Sequence, residues 1–171
     1  VARGATYLFF QGLVCSVIGV VYFVVLVRLL TPEEMGVYAV LTFLLALVQV
    51  LGTLALPSAA VKYIAQYMAQ GKLKEARSVV ARVLQVSVLA SALLSVLLFA
   101  SSGPLSILLS GTSVWVFQAL AFASFFTVLQ IQAGSFLQGL QRMREVAAVQ
   151  LTYAVVEKFL AVYLLYAGWG L

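Results

Sequence analysis

The sequence predicts an all-α membrane protein, a polytopic bundle of about five transmembrane helices, and three observations carry that prediction. Hydrophobic residues make up 64% of the chain and charged residues 9%, with a mean hydropathy of +1.13. A soluble domain carries roughly 25% charged residues to coat its surface. The few charges are clustered, leaving uncharged runs at 4–27, 35–61 and 83–141, and a helix needs only about 20 apolar residues to cross a bilayer. No run shows the ~10-residue alternating segments of a membrane barrel, and open sheet edges do not survive in lipid. Helices are what remains.

Taken in order, the first helix is expected over about 5–30. Its apolar stretch is longer than the 7–15-residue core of a secretory signal, and no small-residue cleavage site follows. The second is expected over 34–57. Pro57 removes an in-helix hydrogen bond, so it is expected to kink or end that helix and to serve as a hinge. The stretch Lys62 to Arg82 reads as two amphipathic pieces split by Gly71. One reading is a helix-loop-helix at the membrane interface, with tyrosines and basic side chains near anionic lipids; the other is a mouth that gathers an anionic substrate. A third helix, about 79–101, is broken by Ser101-Ser102-Gly103-Pro104 and followed by Ser110-Gly111-Thr112-Ser113. The fourth is expected over 113–140 and the fifth over 145–167, the latter interrupted by Glu157 and Lys158. All five belong to one bundle spanning 1–171.

Orientation follows from the basic residues. With the N-terminus in the cytoplasm, the inner segments receive Arg3, then Lys62, Lys72, Lys74, Arg77 and Arg82, then Arg142 and Arg144. The outer segments receive Arg28, accompanied by Glu33 and Glu34. That is a positive-inside arrangement, and it predicts a multi-pass protein of the cell (plasma) membrane.

The composition also excludes chemistry. The chain has no His, and neither Asp nor Asn occurs in it, which removes most metal sites and every Ser-His-Asp arrangement. Cys15 is the one cysteine and reads as a small packed residue. The expectation is a protein that is not an enzyme, holds no cofactor or metal and binds no nucleic acid, its immediate partner being the lipid bilayer.

Three motifs then carry a resemblance. The run Arg28-Leu29-Leu30-Thr31-Pro32-Glu33-Glu34-Met35-Gly36-Val37-Tyr38-Ala39 looks like a turn of polysaccharide-biosynthesis flippases. Leu51-Gly52-Thr53-Leu54-Ala55-Leu56-Pro57-Ser58-Ala59, followed by Lys62-Tyr63-Ile64-Ala65, is similar to a second stretch of that family. Phe136-Leu137-Gln138-Gly139-Leu140-Gln141-Arg142-Met143 is similar to its end of helix four. The chain thereby resembles the oligosaccharide-lipid flippase branch of the multidrug/oligosaccharidyl-lipid/polysaccharide exporter superfamily, whose members have two six-helix bundles. The resemblance covers the first bundle, so the chain is expected to be a truncated N-terminal lobe that works with a second lobe or a partner subunit.

The resemblance implies a transporter that flips an anionic, polyprenyl-pyrophosphate-linked oligosaccharide across the membrane by alternating access, for cell-surface polysaccharide. Such a task needs a wet cavity for sugar and cations for pyrophosphate. The alternatives are a cation-coupled multidrug exporter of the same superfamily and a non-transporting subunit of a glycan-assembly complex. Charges at depth cost roughly 2.5–3.5 kcal/mol on insertion scales, so they face cavities or partners. Glu157 and Lys158 are the deepest charges in the sequence. Neighbours on a helix do not share a face, which groups Glu157 with Gln150 and Tyr153, while Lys158 falls with Ala154, Ala161 and Val162 and is expected either to snorkel or to pair with a partner in a neighbouring bundle. The Glu157 stripe lines something wet or packs on another helix. On the fourth helix, Thr127, Gln130, Gly134, Gln138 and Gln141 form a second stripe. It reads either as interhelical glue or as amides for sugar hydroxyls. Ser87, Ser91 and Ser95, and likewise Gly12, Ser16 and Gly19, read as small-residue packing seams. Arg28 either pairs with Glu33 or Glu34 or, as the resemblance implies, contacts the anionic substrate.

Overall fold

In the computed structural model the chain forms seven α-helices among the described residues: α1 Ala2–Leu29, α2 Pro32–Thr53, α3 Leu56–Ala69, α4 Leu73–Ala100, α5 Ser102–Leu108, α6 Val114–Gly139 and α7 Met143–Tyr166. The structure describes residues 2–108 and 113–166. The expected turn at 110–112 and the expected last residue of the fifth helix lie outside that range. Five helices (α1, α2, α4, α6 and α7) are long and apolar enough to cross a membrane, and no strand occurs among the described residues.

Helix ends follow local chemistry. At the start of α2, Thr31 and Glu34 form a reciprocal capping box. The Thr31 N–H and hydroxyl donate to Glu34 Oε2 at 2.7 and 2.9 Å, and the Glu34 N–H donates to Thr31 Oγ1 at 3.4 Å. Pro32 fills the first helical position, where its missing N–H costs nothing.

The expected second helix, 34–57, ends earlier, at Thr53. Leu54 and Ala55 turn the chain with φ of 47° and 56°, left-handed values that cost a non-glycine residue roughly 1–2 kcal/mol each. Pro57 lies in the first turn of α3. The change of direction expected at Pro57 therefore sits two residues before it, and the proline opens the next helix.

At the far end of α3, Gly71 has φ 71°. The Lys72 N–H donates to Tyr67 O at 2.9 Å and the Gly71 N–H to Met68 O at 3.1 Å, the crossed pair of bonds that closes a helix on a left-handed glycine. The next helix begins at Leu73, not at 79. The second of the two amphipathic pieces joins the third span without a break, because Lys, Glu, Ala and Arg are strong helix formers and continue α4 past the apolar segment.

The chain divides into two compact units, one of residues 1–36 with 142–171 and the other of residues 37–141. In the first, α1 packs along α7. The expected small-residue seam on α1 is not a close approach: a Cβ built on Gly12 or Gly19 meets nothing within 4 Å among the described residues. In the second unit α6 is central, packing on α3, α4 and α5. Val48, Leu98 and Ala121 form a core cluster from α2, α4 and α6, with Leu94, Leu105 and Leu120 around it. Two glycines make this packing possible. A Cβ on Gly52 would lie 3.0 Å from Val128 Cγ2, and one on Gly139 would lie 2.9 Å from Ile64 Cβ.

Candidate functional site

The first polar place belongs to the unit of α1 and α7. Lys158 Nζ lies 3.2 Å from Glu157 Oε1, the side chains being 30% and 42% exposed. The same ammonium sits over the Tyr22 ring, 4.9 Å from its centroid. Lys158 is thus paired, as one reading expected, but with its chain neighbour Glu157 and not with a group in a neighbouring bundle. Their Cβ atoms do point apart, but two long flexible side chains reach around the helix and join at their tips. A carboxylate and an aromatic face together offset an ammonium placed within an apolar span; a cation–π contact contributes about 0.5–2 kcal/mol. Lys158 also borders an open groove of about 330 Å³, walled by Val17, Val21, Val155 and Phe159. Of the expected companions of Glu157, Gln150 is half-buried and Tyr153 is exposed at 36%.

Arg28 is exposed in the last turn of α1. Among the described residues it makes no ion pair with Glu33 or Glu34, which corrects that reading. The Glu34 carboxylate is engaged by Thr31, and Arg28 stands in the last turn of α1, the helix end where positive charge is favoured.

The second polar place lies between α4 and α6, in the other unit. Ser87 and Ser91 are fully buried, Ser124 and Gln132 likewise, and Ser135 nearly so. Ser95 and Ser124 hydroxyls meet at 3.2 Å. Ser91 donates to Val88 O at 3.1 Å and Ser124 to Ala121 O at 2.8 Å, the back-bonding by which serine hydroxyls satisfy themselves on a helix. Gln132 Nε2 donates to Ser135 Oγ at 3.3 Å, and Ser135 Oγ donates to Gln132 O at 2.7 Å. Two atoms, Ser87 Oγ and Gln132 Oε1, are buried with no hydrogen-bond partner among the described residues.

The glutamine stripe expected on the fourth helix is therefore rotated. Gln130 is only half-buried and Gln138 is exposed, whereas Gln132 is 0% exposed. Two residues span about 200° of helix, so Gln130 and Gln132 lie on nearly opposite faces. The buried face runs Phe117, Ala121, Ser124, Val128, Gln132, Ser135 and Gly139. That series advances by threes and fours as regularly as the polar one, and its small residues were the available signal. Pro57, half-buried at the start of α3, is brought to neither polar place.

The sequence model of a family described as polysaccharide biosynthesis protein matches residues 1–171. No curated protein and no solved structure matches the chain.

Proposed function

This chain belongs to the polysaccharide biosynthesis protein family, and from that membership we propose that it flips an anionic lipid-linked oligosaccharide across the plasma membrane by alternating access. It is a multi-pass membrane protein, and family membership gives it a role in polysaccharide biosynthesis. A polyprenyl pyrophosphate bearing sugar is the substrate class this reading assigns. No bond in such a substrate is broken, so the protein's work is to hold charge and sugar away from lipid, and no residue need act as acid, base or nucleophile.

The observation that carries the residue assignment is the shared ammonium of Lys158. At 1.5 Å per residue it lies about 22 Å along α7 from Met143, inside the apolar span. Its carboxylate partner is half-exposed, so an entering pyrophosphate oxygen can take the place of Glu157 Oε1 while the Tyr22 ring stays beneath the cation. Glu157 then becomes the group that restores Lys158 to its resting state after release. Gln150 and Tyr153, two turns and one turn before Glu157, offer an amide and a phenol to sugar hydroxyls. A second lobe or partner subunit completes the enclosure in this reading, and Gln130, Gln138 and Arg28 are peripheral to it.

The test is complementation in cells lacking the native gene. Lys158→Ala and Glu157→Ala proteins are expected to insert at wild-type levels and to lower surface glycan by about tenfold or more, the scale of one lost charge-assisted contact. Lipid-linked sugar should accumulate in the cytoplasmic leaflet, and Lys158→Arg should keep partial function. Wild-type glycan in both alanine variants would remove the pair from the mechanism.

A further inference from the structure

We propose that the cavity between α3 and α4 binds the headgroup of an anionic phospholipid, a singly charged phosphodiester of the phosphatidylglycerol kind. This inference is independent of the flipping reading, because none of its residues belongs to the Lys158 site. The cavity measures about 400 Å³ and is lined by Tyr67 from α3 and by Lys74, Glu75, Ser78, Val79 and Arg82 from α4. Lys74, Ser78 and Arg82 advance by four, so an ammonium, a hydroxyl and a guanidinium stand in one row along the helix. The Tyr67 phenol faces them from the neighbouring helix. Such a set offers donors and positive charge to phosphate oxygens from two sides, and the guanidinium fork suits phosphate in particular.

Position along the helix identifies a lipid. Charges stop at Arg82, and the uncharged part of α4 begins immediately beyond it. Val86, Leu89 and Leu93, which continue the Arg82 face, are exposed apolar side chains. A phosphate seated at Arg82 would leave its glycerol-linked acyl chains running along that apolar surface. Basic pockets at this depth between membrane helices are recognised headgroup sites.

Charge selects the headgroup. The lining holds two cations and the Glu75 carboxylate, a net of one positive charge, which balances a phosphodiester and leaves most of the charge of a free pyrophosphate uncompensated. Glu75 remains available as acceptor for a headgroup glycerol hydroxyl. Lys62, Lys72 and Arg77 nearby add a positive field that disfavours a zwitterion with its outward ammonium.

The test is a titration of the full chain in neutral detergent, read by native mass spectrometry. The probes are palmitoyl-oleoyl phosphatidylglycerol, phosphatidylethanolamine, phosphatidylcholine and inorganic pyrophosphate. Phosphatidylglycerol is expected to bind most tightly. Its affinity should fall about 25-fold in Lys74→Gln/Arg82→Gln, about fivefold for each charge, and stay within about twofold of wild type in Arg142→Gln/Arg144→Gln, which removes equal charge from the other unit. Glu75→Gln should tighten binding, which keeps the proposal testable if the double variant does not fold. Equal losses in both double variants, weaker binding in Glu75→Gln, or ethanolamine or choline lipid binding as tightly would overturn it. Pyrophosphate displacing phosphatidylglycerol at equal concentration would overturn the lipid as source and assign the pocket to free phosphates.

Discussion

Ser87 and Gly139 show how differently two small buried residues respond to one added or removed atom group. Ser87 Oγ is buried without a partner among the described residues, so it contributes desolvation cost and no bond. Ser87→Ala is expected to leave stability unchanged or to raise it by about 1 kcal/mol. Gly139→Ala is expected to lose about 1–3 kcal/mol, because the new methyl would meet Ile64 Cβ at 2.9 Å and a branch point beside the backbone yields little. Thermal unfolding of both variants in one detergent checks the contrast; equal melting temperatures would contradict it. The serine row was legible in the sequence, since three serines at intervals of four on an apolar helix belong on a packed face. Gln132 was not. Its neighbours in the sequence include another glutamine on nearly the opposite face, and only the packing partner decides which amide is enclosed.

Among elements, the helix ends were the least legible part, and the two helix C-termini explain why. Gly71 and Gln141 both take left-handed backbone after their helices, with φ of 71° and 59°. A glycine announces that conformation and a glutamine does not. The Gln141 N–H donates to Gln138 O at 2.9 Å, so its cap has the same geometry as half of the pair at Gly71. Gly71→Ala is therefore expected to cost about 1 kcal/mol, and Gln141→Gly to add about 0.5–1 kcal/mol. Denaturation of the two variants beside wild type measures both signs. A stabilising Gly71→Ala would mean that the left-handed turn is not what closes α3. Leu54 and Ala55 were illegible for the same reason: neither residue type advertises a positive φ, and the nearby proline drew the expected break to itself.

For the whole molecule, the proposed orientation is testable with single cysteines in a Cys15→Ala background. Ser101 and Gln70 are both exposed. In intact cells Ser101→Cys should react with an impermeant thiol reagent, and Gln70→Cys should react only after permeabilisation. The opposite pattern would invert the topology. At this scale the sequence was most informative. Five long helices were readable because 15 charges in 171 residues leave no other way to solvate the chain, and the clustering of those charges located the connections. What composition cannot convey is the division into two units, which depends on which helix faces interlock. The Lys158–Glu157 contact escaped prediction because helical geometry places Cβ atoms and not the ends of long side chains.

The two close-approach glycines have a mechanical consequence. Gly52 lets α2 seat on Val128 of α6, and Gly139 lets Ile64 of α3 seat on the same helix. Each contact is a notch with a side chain in it, so neither α2 nor α3 can slide along α6 without lifting out against a methyl group. Within the unit of residues 37–141, α2 and α3 are thus expected to keep one register on α6. Spin labels at Tyr63 on α3 and Phe122 on α6, both exposed, should report one unchanging distance with and without substrate. A distance that splits into two populations would mean the notches disengage.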